Sequence, residues 1–82
     1  MDIGPLLIEQ RRIADMFRAA ETVLQDAHRM LAGRLLDRAT RDQMVASIPA
    51  QTAELLHLGQ RRLELDASVA VAASRTRAAA RL

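Results

Sequence analysis

The chain has 82 residues, 12 of them basic, 10 acidic and 2 histidine, for a net charge of +2 at neutral pH. That length allows one domain at most, near the size at which a single hydrophobic core is marginal. With no cysteine there can be no disulfide framework, thiolate nucleophile or Cys-based metal site, and a reducing compartment is the natural expectation.

Half of the residues are hydrophobic, but they are mostly Ala, Leu, Ile and Val, and Phe17 is the only aromatic. Large side chains contribute most of the burial energy of a core, roughly 1.5–3 kcal/mol each, so this chain has few strong anchors. Gly and Pro are scarce, and no segment alternates apolar and polar residues with β-branched enrichment. The expected class is all-α: a long helical hairpin, with a possible short third segment near 40–47, packing into a multi-chain bundle or array.

All the basic residues are Arg, which with the frequent Ala fits a GC-rich bacterial or phage gene. Residues 1–66 carry nine Arg against ten acids, whereas residues 67–82 carry Arg75, Arg77 and Arg81 with no acid. No run of about 18 uncharged apolar residues is present, so no membrane-spanning helix is expected. Asp2 and the lack of a basic leader argue against a signal peptide. The expected location is cytoplasmic, or within an assembled particle.

A first helix is predicted over about 5–32, with Pro5 in its first turn, where a missing N–H is harmless. Leu6, Ile13, Met16, Phe17, Ala20, Val23, Leu24, Ala27, Met30, Leu31 and Leu35 project onto one arc. Arg11, Asp15, Arg18, Thr22, Asp26 and Arg29 lie opposite. Ile13, Met16, Ala20, Val23, Ala27 and Met30 also follow coiled-coil spacing, while Phe17, Leu24 and Leu31 widen the stripe. Beyond Leu31 the phase degrades, because Arg34 and Arg38 enter the apolar arc. A break within 33–41 is one reading, with the Thr40–Gln43 stretch spaced as a capping box. The other is a helix running on to about Ala46.

The stretch Ala46–Thr52, with Ser47 as a cap and Pro49 in a first turn, predicts a turn at about 46–49 and a second helix over about 49–79. Its heptad seam is Ile48, Leu55, Leu58, Leu65, Val69, Ala72 and Ala79. A second line, Leu56, Gly59, Leu63, Ala70 and Ser74, runs roughly 120° away. A helix apolar over more than half its circumference needs contacts on two sides, and one antiparallel neighbour covers only one. Self-association or docking on another protein is therefore expected. The candidate interface residues are Ile13, Met16, Phe17, Val23, Leu24, Met30, Leu31, Leu55, Leu56, Leu58, Arg62, Leu63, Leu65, Asp66 and Val69. Within that set, Arg62 and Asp66 are spaced as a helix-internal ion pair on the leucine seam, able to fix register between helices.

Chemistry-bearing patterns are sparse. Glu54 and His57 have the Glu-x-x-His spacing of carboxylate-bridged di-metal bundles, with Glu21 or Asp26 as further ligands, but His57 projects to the polar face and such ligands must point inward. His28 sits alone at the edge of the first apolar arc, and Gly4, Gly33 and Gly59 are isolated and form no phosphate loop. No catalytic residue, cofactor or metal site is expected, and the chain is read as a non-enzyme. Arg11, Arg12, Arg18 and Arg29 are interleaved with Glu9, Asp15, Glu21 and Asp26, which is usual for a solvated helix face. Only Arg75, Arg77 and Arg81 are unopposed, and they are the candidates for a nucleic-acid contact. They also suit the negative end of a helix dipole. The leading expectation is a structural subunit of a larger assembly, such as a virion or secretion apparatus. A small regulator or adaptor using the basic C-terminus to bind DNA or a protein is the alternative.

Overall fold

A computed structural model describes residues 3–33 and 35–81, and two helices account for nearly all of them. Helix α1 spans Gly4–Ala32 and helix α2 spans Arg38–Ala80. They pack against each other as an antiparallel hairpin, so the all-α hairpin expected from composition and periodicity is what the chain forms. The molecule measures 66 × 16 × 16 Å, and its length is that of α2 alone, since 43 residues at about 1.5 Å each span about 65 Å. The radius of gyration is 18.9 Å, against about 12 Å for a compact domain of this size.

The turn lies at 33–37, within the window where the apolar phase breaks, and not at 46–49. Gly33 ends α1 in an extended conformation (φ −78°, ψ 166°), and Asp37 opens α2 in another (φ −69°, ψ 164°). Neither conformation demands a special residue. No side chain caps Asp37's end of α2, and Thr40, where one of the two readings starts a new helix, lies inside the helix already begun at Arg38.

Pro49 lies inside α2, and residues 46–49 are helical throughout. Proline removes one N–H, the donor that would reach the carbonyl of Val45, and disfavours helical geometry in the residue before it. Both effects are local, and a helix held by tertiary contacts on either side can absorb them. Ser47, expected as a cap, instead donates its hydroxyl to the carbonyl of Met44 at 2.7 Å, a side-chain bond within the continuing helix.

Arg41, in the first turns of α2, closes the hairpin. Its guanidinium donates to the carbonyl of Leu31 at 3.0 Å and to that of Gly33 at 2.8 Å. The last carbonyls of a helix lack partners and carry its negative dipole end, so one planar cation meets both needs. Arg41 thereby ties the C-terminus of α1 to the start of α2.

The core is thin. Ile13 and Ala27 of α1 and Leu58, Leu65 and Ala72 of α2 are the buried hydrophobic residues, with Phe17 and Ala20 packed against the Ile13–Leu58–Leu65 cluster. The cross-helix register follows from three contacts: Gln10 to Asp66, Phe17 to Gly59, and Arg41 to Leu31. In that register α1 runs out opposite Ala72, and α2 continues beyond it. Every residue from Ser74 to Arg81 is exposed.

Candidate interaction surface

The candidate interface residues divide into two groups. Ile13, Leu58 and Leu65 are buried, and Phe17, Leu24, Leu31, Leu55 and Val69 are half-buried, as Leu6 and Ala20 also are. These nearly all project onto the facing arcs of the hairpin, and α1's inner line is centred on Ile13. Met16, Val23 and Met30 lie 60–100° to one side and are exposed at 43%, 52% and 51%. The coiled-coil seam read through these three is therefore displaced: with a single neighbouring helix, the stripe's centre is covered and its edge is not.

On α2, Leu56 and Leu63 are 69% and 71% exposed, and Val45 lies on the same projected face. This face points away from the contact with α1, as expected for the second apolar line. Leu35, in the turn, is almost wholly exposed, and with Met30, Gly33 and Leu36 it edges an apolar recess of about 260 Å³. Leu7 and Ile8 add exposed aliphatic surface near the start of α1.

The accessible surface totals 6455 Å², whereas a compact monomer of 9.1 kDa has about 4,900 Å². The excess of about 1,600 Å² exceeds the roughly 800 Å² that each partner contributes to an interface of standard size. The elongated shape produces this excess, and large apolar side chains are exposed on it, the kind of surface that marks contact sites.

Arg62 and Asp66 do not form the expected ion pair with each other; among the described residues neither is in an ion pair. Each crosses to α1 instead. The Arg62 guanidinium lies 5.7 Å from the centroid of the Phe17 ring, and Asp66 accepts a hydrogen bond of 2.6 Å from Gln10 Nε2. Stacking on a ring and receiving an amide proton both draw the side chains toward the neighbouring helix, so the cross-helix contacts replace the in-helix pair. Gly59 makes the first of these possible. A Cβ there would stand 3.2 Å from Cε2 of Phe17, so the bare backbone lets the one aromatic ring settle on α2. Sequence reasoning gave Gly59 only a place on the second apolar line; the glycine in an otherwise good helix sequence was the available signal. Arg41 carried no such signal, because its partners are backbone atoms eight and ten residues earlier.

Glu54 and His57 open onto different recesses. Glu54 lines a groove with Met16 and Val23, while His57 shares a shallow polar depression with Gln60, Arg61 and Glu64. Both are exposed, as are Glu21, Asp26 and His28. The charged faces are stitched by short-range pairs: Arg12–Glu9 at 2.8 Å, Arg61–Glu64 at 3.3 Å and Arg29–Asp26 at 3.6 Å. In the first of these, bidentate hydrogen bonds from Arg12 hold the Glu9 carboxyl below the usual glutamate range, and the same bonds raise Arg12. Arg75, Arg77 and Arg81 have no ion-pair partner among the described residues and lie on the part of α2 that outruns α1. By helical spacing they point to more than one side of it.

No helix among the described residues is long and apolar enough to cross a membrane. No family model matches the sequence, and neither a curated protein nor a solved structure matches the chain.

Proposed function

We propose that the protein is a non-enzymatic assembly subunit, a helical hairpin that packs through its exposed apolar flanks against further protein, as part of a larger structure such as a virion or secretion apparatus. The observation that carries this reading is the surface excess of about 1,600 Å² over a compact monomer, set by 6455 Å² of accessible area. Met16, Val23, Met30, Leu56 and Leu63 are among the large apolar side chains exposed on that surface. The two helices of the hairpin do not cover them, so their burial needs further protein packed against it. Light scattering coupled to size exclusion, with circular dichroism on the same sample, tests it. The expected result is a helical species heavier than one chain. A helical, cooperatively unfolding monomer at micromolar concentration would rule out self-association.

One observation favours a second reading, in which the chain is a small regulator or adaptor. The projecting end of α2 carries Arg75, Arg77 and Arg81 with no acid beside them. Cationic groups on an exposed helix attract phosphates, and such binding weakens steeply with salt. A DNA titration at low salt, repeated with all three changed to Ala, decides it. Absence of binding by the wild type at low salt ends this alternative.

A further inference from the structure

The flank of the hairpin that carries Met16 and Val23 is a groove as well as an apolar stripe. Met16, Ala19, Ala20 and Val23 of α1 face Gln51 and Glu54 of α2 across about 310 Å³. Gln51 Oε1 is buried beside these apolar walls with no hydrogen-bond partner. An enclosed amide oxygen without a donor is unfavourable and is rare in a finished structure. The groove thus has apolar walls with nothing to fill it and, closed off within one of them, an amide oxygen that stays unsatisfied unless the Gln51 side chain turns out to meet a donor.

We propose that a second copy of this chain closes the groove, flank against flank about a two-fold axis passing beside Ala19 and Gln51, to give an antiparallel four-helix bundle. The proposal rests on the assembly reading above and names its partner and its surface. Three observations select a second copy over a different protein. An isologous interface presents the same patch from both sides, and this patch complements itself. Its small residues Ala19 and Ala20 leave room for the Met16 and Val23 side chains of the other copy. A primary amide carries both N–H and C=O, so two Gln51 side chains that turn out into the groove can pair N–H to C=O across the axis.

Area is the second argument. The excess of about 1,600 Å² per chain, from 6455 Å² in total, is spread over the whole rod, the Leu56–Leu63 face included, and it exceeds the roughly 1,000 Å² per partner at which obligate homodimers begin. Charge is the third. A two-fold axis across the hairpin sends the projecting ends bearing Arg75, Arg77 and Arg81 to opposite ends of the bundle. A parallel pairing would bring six unopposed guanidinium groups together. Glu54 stays at the exposed rim of the groove, where solvent screens it.

The absence of native cysteine makes the geometry directly testable. Ala19→Cys is expected to form a covalent dimer under mild oxidation or with a short thiol–thiol crosslinker. Leu63→Cys, on the outer face of α2 away from α1, is expected to remain largely uncrosslinked. By light scattering the wild type should have twice the mass of one chain. Val23→Asp should halve that mass, whereas Leu63→Asp leaves it unchanged. Crosslinking through Leu63→Cys but not Ala19→Cys would overturn this interface, as would an assembly dissolved by Leu63→Asp and not by Val23→Asp. In either case the assembly reading survives with a different surface. A folded wild-type monomer would overturn both self-association and this interface. Because the crosslinking result is obtained without a charged substitution, an unfolded Val23→Asp variant does not weaken the test.

Discussion

The ring of Phe17 rests on the bare backbone of Gly59, so close that a methyl group there would stand 3.2 Å from Cε2. Two effects oppose each other in Gly59→Ala: a helix-propensity gain of about 1 kcal/mol and a contact tighter than side chains prefer. The neighbour is a half-buried ring able to shift by a few tenths of an ångström, so the two nearly cancel. Gly59→Ala is expected to change stability by less than about 0.5 kcal/mol in urea unfolding. In a Phe17→Leu background the same substitution should recover most of the propensity gain, about 1 kcal/mol. An equal gain in both backgrounds would show that the ring does not need the glycine.

Arg41 bonds the carbonyls of Leu31 and Gly33 with two separate guanidinium nitrogens. Hydrogen bonds to a charged group contribute roughly 1.5–3 kcal/mol, less where water competes. Arg41→Ala should therefore lower stability by about 1–2 kcal/mol and speed amide exchange in the last turn of α1. Lys is not expected to restore it, because a single ammonium does not reproduce the planar fork. Arg38→Ala is the control: its 4.0 Å approach to Asp42 is highly exposed, and the change should stay within about 0.5 kcal/mol.

Pro49 interrupts the hydrogen-bond ladder of α2 without ending the helix. Restoring the N–H by Pro49→Ala is expected to stabilise the hairpin, by at most the ~3 kcal/mol that proline costs in a helix interior. A loss of stability would mean that a bend at Pro49 is needed for α2 to follow α1, and thermal unfolding with circular dichroism separates the outcomes.

Arg62 and Asp66 engage α1 separately, through Phe17 and Gln10. A double-mutant cycle between Arg62 and Asp66 should show coupling within about 0.3 kcal/mol of zero. The Gln10–Asp66 cycle should be measurably positive, near the 0.5–1.5 kcal/mol of an ordinary side-chain hydrogen bond. The reverse ranking would restore the in-helix ion pair.

The carboxyl of Glu9 is held below the usual range by Arg12. A group with a depressed folded-state pKa contributes stability that is complete above its unfolded value and lost as pH falls through the lowered one. Helicity followed from neutral pH into acid should show a small loss below the ordinary glutamate range, and Glu9→Gln should remove that component. Because the pair lies at the surface, with Arg12 exposed and Glu9 half-buried, high salt should also reduce it.

Much of this architecture was legible in the residues themselves. The spacing of Ile13, Phe17, Leu24 and Leu31, and of Leu58, Leu65 and Ala72, marks the inner faces, since helical periodicity is a local property of the chain. The second apolar line through Leu56 and Leu63 was equally readable, and with it the shortage of covering surface. The turn was not. Pro49 is the stronger local breaker and Gly33 the weaker, but a turn is chosen by what it brings together. A hairpin closed at 46–49 would set Leu58 opposite Asp37 and Val69 opposite Asp26, and would carry Ile13 past the end of α2. Closing at 33–37 aligns Ile13 with the Leu58–Leu65 seam and Phe17 with Gly59, and lets Arg41 reach Leu31. The sequence by itself determined two amphipathic helices and how much apolar face each must hide. Only the tertiary structure decided the register, because burial summed along the whole helix pair outweighs the cost of one proline inside it.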